Sequence, residues 1–237
     1  MNHGNILFSI IAAIVLTAYA SAGEAQSGKP PLNLIPMYGY PEAVKTEAQK
    51  KSDEDFINSV SGTEGSRAKA AKGFAGEGWK YLSKGDAANA MRRFNQSWLL
   101  NPNDCQPYWG FAVVLFAQRK PSEAAIHFEK ALSLIDEESE KPRLLSDASR
   151  AYSVQGAFAT DKIKAKEFFE KANSLLDEAI KLNPKYGSAY RNWAMSLYYE
   201  GNYEKAWDMV RNSRGLAGEE LSSDFIDMLS KKMPEPK

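Results

Sequence analysis

A period of 34 residues constrains this chain more than any other feature: Gly78, Tyr81, Gly85, Ala90, Phe94 and Ser97 recur as Ala112, Leu115, Arg119, Ala124, Phe128 and Ala131. Self-similarity at that spacing marks an array of identical supersecondary units. The residue types say which unit. Small side chains at Gly78, Ala90, Ala112 and Ala124 let two amphipathic helices cross closely, and Phe94 and Phe128 fill the space between one helix pair and the next. A single pair cannot bury its own apolar face, so the pairs must stack.

This pattern resembles the tetratricopeptide repeat (TPR), with a small residue and an aromatic on the first helix, then Ala, an aromatic, Ala and a closing Pro around the second. The first unit carries Gly78, Tyr81, Ala90, Phe94 and Pro102, with Ser97 in place of Ala. In the second, Leu115 replaces the aromatic and Asp136 the Pro. A fourth unit offers Ala194, Gly201, Tyr203, Ala206 and Ser213, with Leu197 and Val210 at aromatic positions. The third is out of phase: Tyr152 and Gly156 suit a first helix, and Ala172, Leu176, Ala179 and Pro184 a second. Tyr152 and Ala172 stand 20 residues apart where Tyr81 and Ala90 stand 9 apart, an insertion of 11. That is about three helical turns, expected to project past the neighbouring helices, either as a tolerated extension or as a partner-specific knob. The resemblance, over roughly residues 71–220, implies an all-α, right-handed superhelical solenoid of about four helix hairpins. It adds a C-terminal capping helix and an extended N-terminal arm.

The expected boundaries are 1–22, 23–65, 66–220 and 221–237. Residues 6–20 form an apolar run of 15, short of the roughly 20 that span a bilayer. It closes on Ala18-Tyr19-Ala20 and Ala20-Ser21-Ala22, either fit for signal-peptidase cleavage, with a mature start at Ser21 or Gly23. No Lys or Arg precedes the run, so an uncleaved anchor is the alternative. No Cys follows it to take a lipid, and the expected location is exported, periplasmic or secreted. Residues 23–41 hold Pro30, Pro31, Pro36 and Pro41, which forbid a helix. Leu32, Leu34, Ile35, Met37, Tyr38 and Tyr40 are too apolar for an idle linker. They read as an extended segment lying on the chain's own superhelix or as a docking strand for a partner. Thr46 and Gln49 have the spacing of a capping box for a short helix reaching Val60. Ser66 is placed to cap the first repeat helix, Asp161 starts the long helix of the third unit, and Ser222 caps a final helix carrying Phe225 and Leu229.

Composition narrows the function classes. All five tryptophans (Trp79, Trp98, Trp109, Trp193, Trp207) lie in the repeat region and locate the core. The 30 basic and 30 acidic residues balance, with no footprint for nucleic acid. The single cysteine, Cys105, forms no internal disulfide and reads as a small buried residue. Of the two histidines, His3 leaves with a cleaved signal, and His127 reads as a partly exposed packing residue. One Cys and one usable His on different elements do not make a nucleophile and base. Gly73, Gly76 and Gly78 follow no strand and so fail as a phosphate loop. The acidic run Asp53, Glu54, Asp55 points in different directions on a helix and reads as a solvated face. No enzyme, cofactor or metal is expected.

The resemblance also implies a concave face lined by first helices. Carried over position by position, it runs through Lys72, Ala75, Trp79, Leu82 and Ser83, then Gln106, Trp109, Val113, Phe116 and Ala117. It continues through Arg143, Ser146, Arg150, Ser153 and Val154, and then Ser188, Arg191, Met195, Tyr198 and Tyr199. Lys72, Arg150 and Arg191 with Trp79, Trp109, Phe116, Tyr198 and Tyr199 are the candidate groove. Flat rings and guanidinium forks suit an extended or acidic segment of another protein. The expected work is that of a non-catalytic adaptor or scaffold of the cell envelope. The alternative is a structural subunit assembling through its convex face or N-terminal arm. Oligomeric state is left open.

Overall fold

The computed structural model describes residues 30–60, 66–216 and 221–237. The signal expected at 1–22 and the linker at 61–65 lie outside the described residues, and Ser66, expected to cap the first repeat helix, is instead that helix's first residue. Those residues are all helical, as the repeat requires: ten α-helices and no strand. They are α1 (Glu47–Val60), α2 (Ser66–Ser83), α3 (Ala87–Leu100), α4 (Cys105–Ala117), α5 (Pro121–Leu134), α6 (Lys141–Phe158), α7 (Lys162–Leu182), α8 (Gly187–Glu200), α9 (Tyr203–Ser213) and α10 (Ser223–Lys232). They gather into two compact units, Met1–Gln118 and Arg119–Lys237, so the helices of the second repeat fall one in each.

In the first unit α2 packs on α3 and both touch α4. Phe94 of α3 is the keystone. A Cβ on Gly78 of α2 would stand 2.6 Å from its ring, and one on Gly110 of α4 would overlap the same ring. The two glycines thus leave room for a phenyl ring rather than for a backbone. Phe111 and Trp79 meet the ring edge-on at 6.4 and 5.2 Å. The turn after α2 needs a left-handed residue and has Gly85 at φ +77, while its repeat mate Arg119 holds φ +62 without glycine's freedom. Asp86 then caps α3 through the Asn89 N–H at 3.0 Å. Asn101 ends that helix, and Arg67 of α2 donates to its last carbonyl, Leu100 O, at 2.6 Å, a cation where the helix dipole favours one.

The capping box forms as expected, with Gln49 N–H to Thr46 Oγ1 at 3.3 Å and Thr46 N–H to Gln49 Oε1 at 2.9 Å. Phe56 of α1 lies against Phe74 of α2 at 5.5 Å. The segment before it departs from expectation. Residues 32–39 are not extended but wind into two 3₁₀ turns, Leu32–Leu34 and Pro36–Gly39, with Met37 and Tyr38 both at φ +53. The prolines forbid an α-helix but permit these tight turns, which pack on α3.

In the second unit α5, α6 and α7 are tied by Glu129, which accepts from Tyr152 Oη at 2.6 Å and pairs with Lys171 at 3.0 Å. The third hairpin has the predicted extension: α6 and α7 run 18 and 21 residues against 14 for α5 and α8 and 11 for α9. Asp161 starts α7 as expected, accepting from Ile163 N–H at 2.8 Å. α8 packs on α6, α7 and α9, and α10 on α9. Ser222 caps α10 through Phe225 N–H at 3.3 Å, and Phe225 and Leu229 cover Ala194, Leu197, Trp207 and Val210. The terminal lid is therefore a packed element. Trp207 Nε1 donates to Met233 O at 2.9 Å, and Arg214 grips Glu235 bidentately at 2.7 and 2.9 Å.

Candidate binding surfaces

The candidate groove residues divide between the units, and each unit presents a different chemistry. In the first, Trp79 of α2 is half-buried and donates from Nε1 to Gln106 Oε1 of α4 at 2.7 Å. Its ring meets Trp109 at 5.4 Å. Trp109 itself is only 1% exposed. Its repeat position turns it into the seam between α2 and α4, so it is a core residue and not a groove contact. Phe116 is half-buried and Lys72 exposed on α2.

In the second unit the buried polar residues converge where α6 lies beside α8. Asn192 Nδ2 donates to Ser146 O at 3.2 Å and to Ser146 Oγ at 2.9 Å. One helical turn along, Arg150 of α6 and Arg191 of α8 share a neighbourhood. Arg191 is 7% exposed and donates to Ser188 Oγ at 3.2 Å. Arg150 keeps 19% of its side chain exposed, 4.0 Å from Asp147. Burial pulls the Arg150 guanidinium down from its ordinary pKa. Asp147 opposes that shift, the like charge of Arg191 adds to it, and Tyr186 opposes it. The expected groove positions hold four basic residues and no acidic one, but Asp147 lies among them, one turn before Arg150 on the same helix. Asp147, Tyr186 and Asn192 were thus missed, although each is within five residues of a named one.

Tyr198 and Tyr199 follow along α8. Tyr198 is turned into the protein, with Tyr199, Tyr203 and Phe225 at 5.5, 5.7 and 5.7 Å, while Tyr199 is 39% exposed. Burial raises the Tyr199 hydroxyl pKa, and neighbouring Tyr198 adds to it. Cys105 is buried. Asp53 pairs with Lys45, and no group of metal-binding side chains occurs among the described residues. No helix among them is long and apolar enough to cross a membrane.

Paired-helix packing, left-handed residues at Gly85, Arg119 and Gly201 in three of the short turns, and a capping helix over the last hairpin together define a TPR-like fold. No protein-family model and no curated protein matches the chain. Among solved structures, a thermophilic TPR protein of Thermus thermophilus superposes with a TM-score of 0.58 at 18% identity. That match covers 69% of this chain and 81% of that one. Pseudomonas aeruginosa pilF, at 18% identity over 70% of this chain and 85% of that chain, superposes with a TM-score of 0.36, too loose to bear on the fold.

Proposed function

We propose that this protein is a non-catalytic adaptor or scaffold that captures an extended, acidic segment of another protein, its carboxylate seated on Arg150 and Arg191. The observation that carries this reading is that two guanidinium groups, from the first helices of successive hairpins, are held largely buried within each other's field. Asp147 offsets part of their repulsion. A carboxylate laid across both would relieve it further and match the fork geometry of each. Ser188 and Tyr186 supply polar neighbours, and Tyr199 supplies exposed ring area along the same helix. Trp79 and Phe116 would form a separate apolar stretch in the first unit. The apolar run at 6–20 supports an exported location. The arm packs on α3, the second helix of its hairpin, which favours a self-docked segment over a free docking strand.

Fluorescence anisotropy with acidic peptides, each in free-acid and amidated form, tests the reading. Arg150→Gln and Arg191→Gln should each weaken capture at least about tenfold, since truncating one member of a buried charge pair costs roughly 2–5 kcal/mol. Asp147→Asn, which removes the competing carboxylate, should strengthen it. Unchanged affinity in both arginine variants would refute the site.

A further inference from the structure

The extended third hairpin ends in a tip that the groove reading does not use. Phe158, the last residue of α6, is 76% exposed, and Ile163, in the first turn of α7, is 73% exposed. Large apolar side chains this bare are unusual in pairs, and these two flank a turn of only three residues. The tip is firmly built. Gly156 brings α6 so close to α7 that a Cβ there would lie 3.0 Å from the Phe169 ring, and the Asp161 cap fixes the start of α7.

At the tip two lysines stand against one carboxylate. Lys162 and Lys164 are exposed beside Ile163. Asp161, itself exposed, has Oδ1 engaged by the N–H groups of Ile163 and Lys164, at 2.8 and 3.4 Å, which offsets part of its charge locally. Glu167 lies a turn further back, and Glu170 beyond it pairs with Lys166 at 3.6 Å. Contact area decides what such a tip can hold. Two side chains offer a few hundred Å² at most, since an aromatic buries about 150–250 Å². A specific protein interface needs roughly 1,200 Å² or more. A lipid surface needs no matching pocket: an aromatic and an aliphatic entering the headgroup layer, with lysines at the phosphates, bind by burial and attraction together.

We propose that the α6–α7 tip docks on an anionic lipid surface, with Phe158 and Ile163 entering the interface and Lys162 and Lys164 meeting headgroup phosphates. This does not depend on the groove reading. The test must report on the tip alone, because the apolar run at 6–20 could bind lipid by itself. The environment-sensitive fluorophore NBD on Phe158→Cys in the full chain does so, with Cys105 buried and NBD on Ser139→Cys, before the opposite end of α6, as control. Vesicles of phosphatidylcholine with about a third phosphatidylglycerol should brighten and blue-shift the tip label and leave the Ser139 label unchanged. Pure phosphatidylcholine should do so far less, and Lys162→Glu with Lys164→Glu should weaken the response at least about tenfold. No response, an equal response at Ser139, an equal response to neutral vesicles, or a response to soluble poly-glutamate alone would overturn the proposal; the last would assign the tip to an acidic protein.

Discussion

Asn95 should act as the clip that holds the N-terminal arm, and replacing it should release the arm while leaving the hairpins folded. Its side chain is 0% exposed on α3 and is consumed by the arm's backbone. Nδ2 donates to Asn33 O at 3.2 Å and Ile35 O at 2.9 Å, while Oδ1 accepts from Tyr38 N–H at 3.2 Å. The rest of that stretch is held by half-buried side chains, its 3₁₀ turns containing no fully buried residue. Tyr40 meets Trp98 at 6.1 Å, and Lys45 lies 4.2 Å over the Tyr38 ring and pairs with Asp53. Met37 and Tyr38 also sit in the left-handed region, a cost of about 1 kcal/mol or more each that the docked state must offset. Three hydrogen bonds are worth about 1 kcal/mol each net, so Asn95→Ala should weaken docking by about 2–3 kcal/mol. That is roughly a 30- to 150-fold rise in the open population. Hydrogen exchange should show it at Leu34, Ile35, Tyr38, Tyr40 and Ala43, whose N–H groups are bonded within the arm or to Asn95. Trypsin should cut faster after Lys45. Asn95→Asp, which keeps the acceptor but turns repulsive toward both carbonyls, should open the arm at least as far. If exchange in the arm were unchanged, or if protection fell equally across α2, α3 and α4, Asn95 would be an ordinary core residue and the reasoning would fail.

Phe94 wedged against two glycines makes Gly110→Ala destabilising by about 1–3 kcal/mol despite its better helix propensity; Gly73→Ala and Gly76→Ala, with nothing within 4 Å of the new Cβ, should each stabilise by up to about 1 kcal/mol. Urea melts of the three variants separate crowding from propensity, and a stabilised Gly110→Ala would be the wrong sign. Burial depresses the His127 pKa to about 4, with Glu123 opposing, so the folded state keeps the ring neutral. The stability this contributes is complete above the unfolded value near 6.5 and is lost as pH falls from there to about 4, by at most ~3 kcal/mol. His127→Gln should flatten that stretch of the Tm-against-pH curve, and matching slopes in the two proteins would rule it out.

The hairpins were legible because their period is a packing period. Ala90, Phe94, Ala124 and Phe128 recur 34 residues apart and all four are buried, each within its own unit, and a core repeats its volumes wherever the helices repeat their crossing. The third hairpin was legible for the complementary reason: 11 added residues in a helix pair can only lengthen it, and α6 and α7 are long. What the period could not reveal is where a side chain turns within a face. Trp79 and Trp109 occupy adjacent groove positions by register, yet Trp109 is buried and Trp79 is not, because Trp79 has Gln106 to satisfy its indole N–H at the edge of the seam. Polar clips are harder still. Asn95 and Asn192 stand among many asparagines, and each acts on backbone or hydroxyl groups 46 or more residues away. No local spacing encodes such a partner. A buried asparagine appears in sequence only as one polar letter on an apolar face, so positions such as 95 and 192 mark where a repeat protein departs from its own pattern and hence where its individual work should be sought.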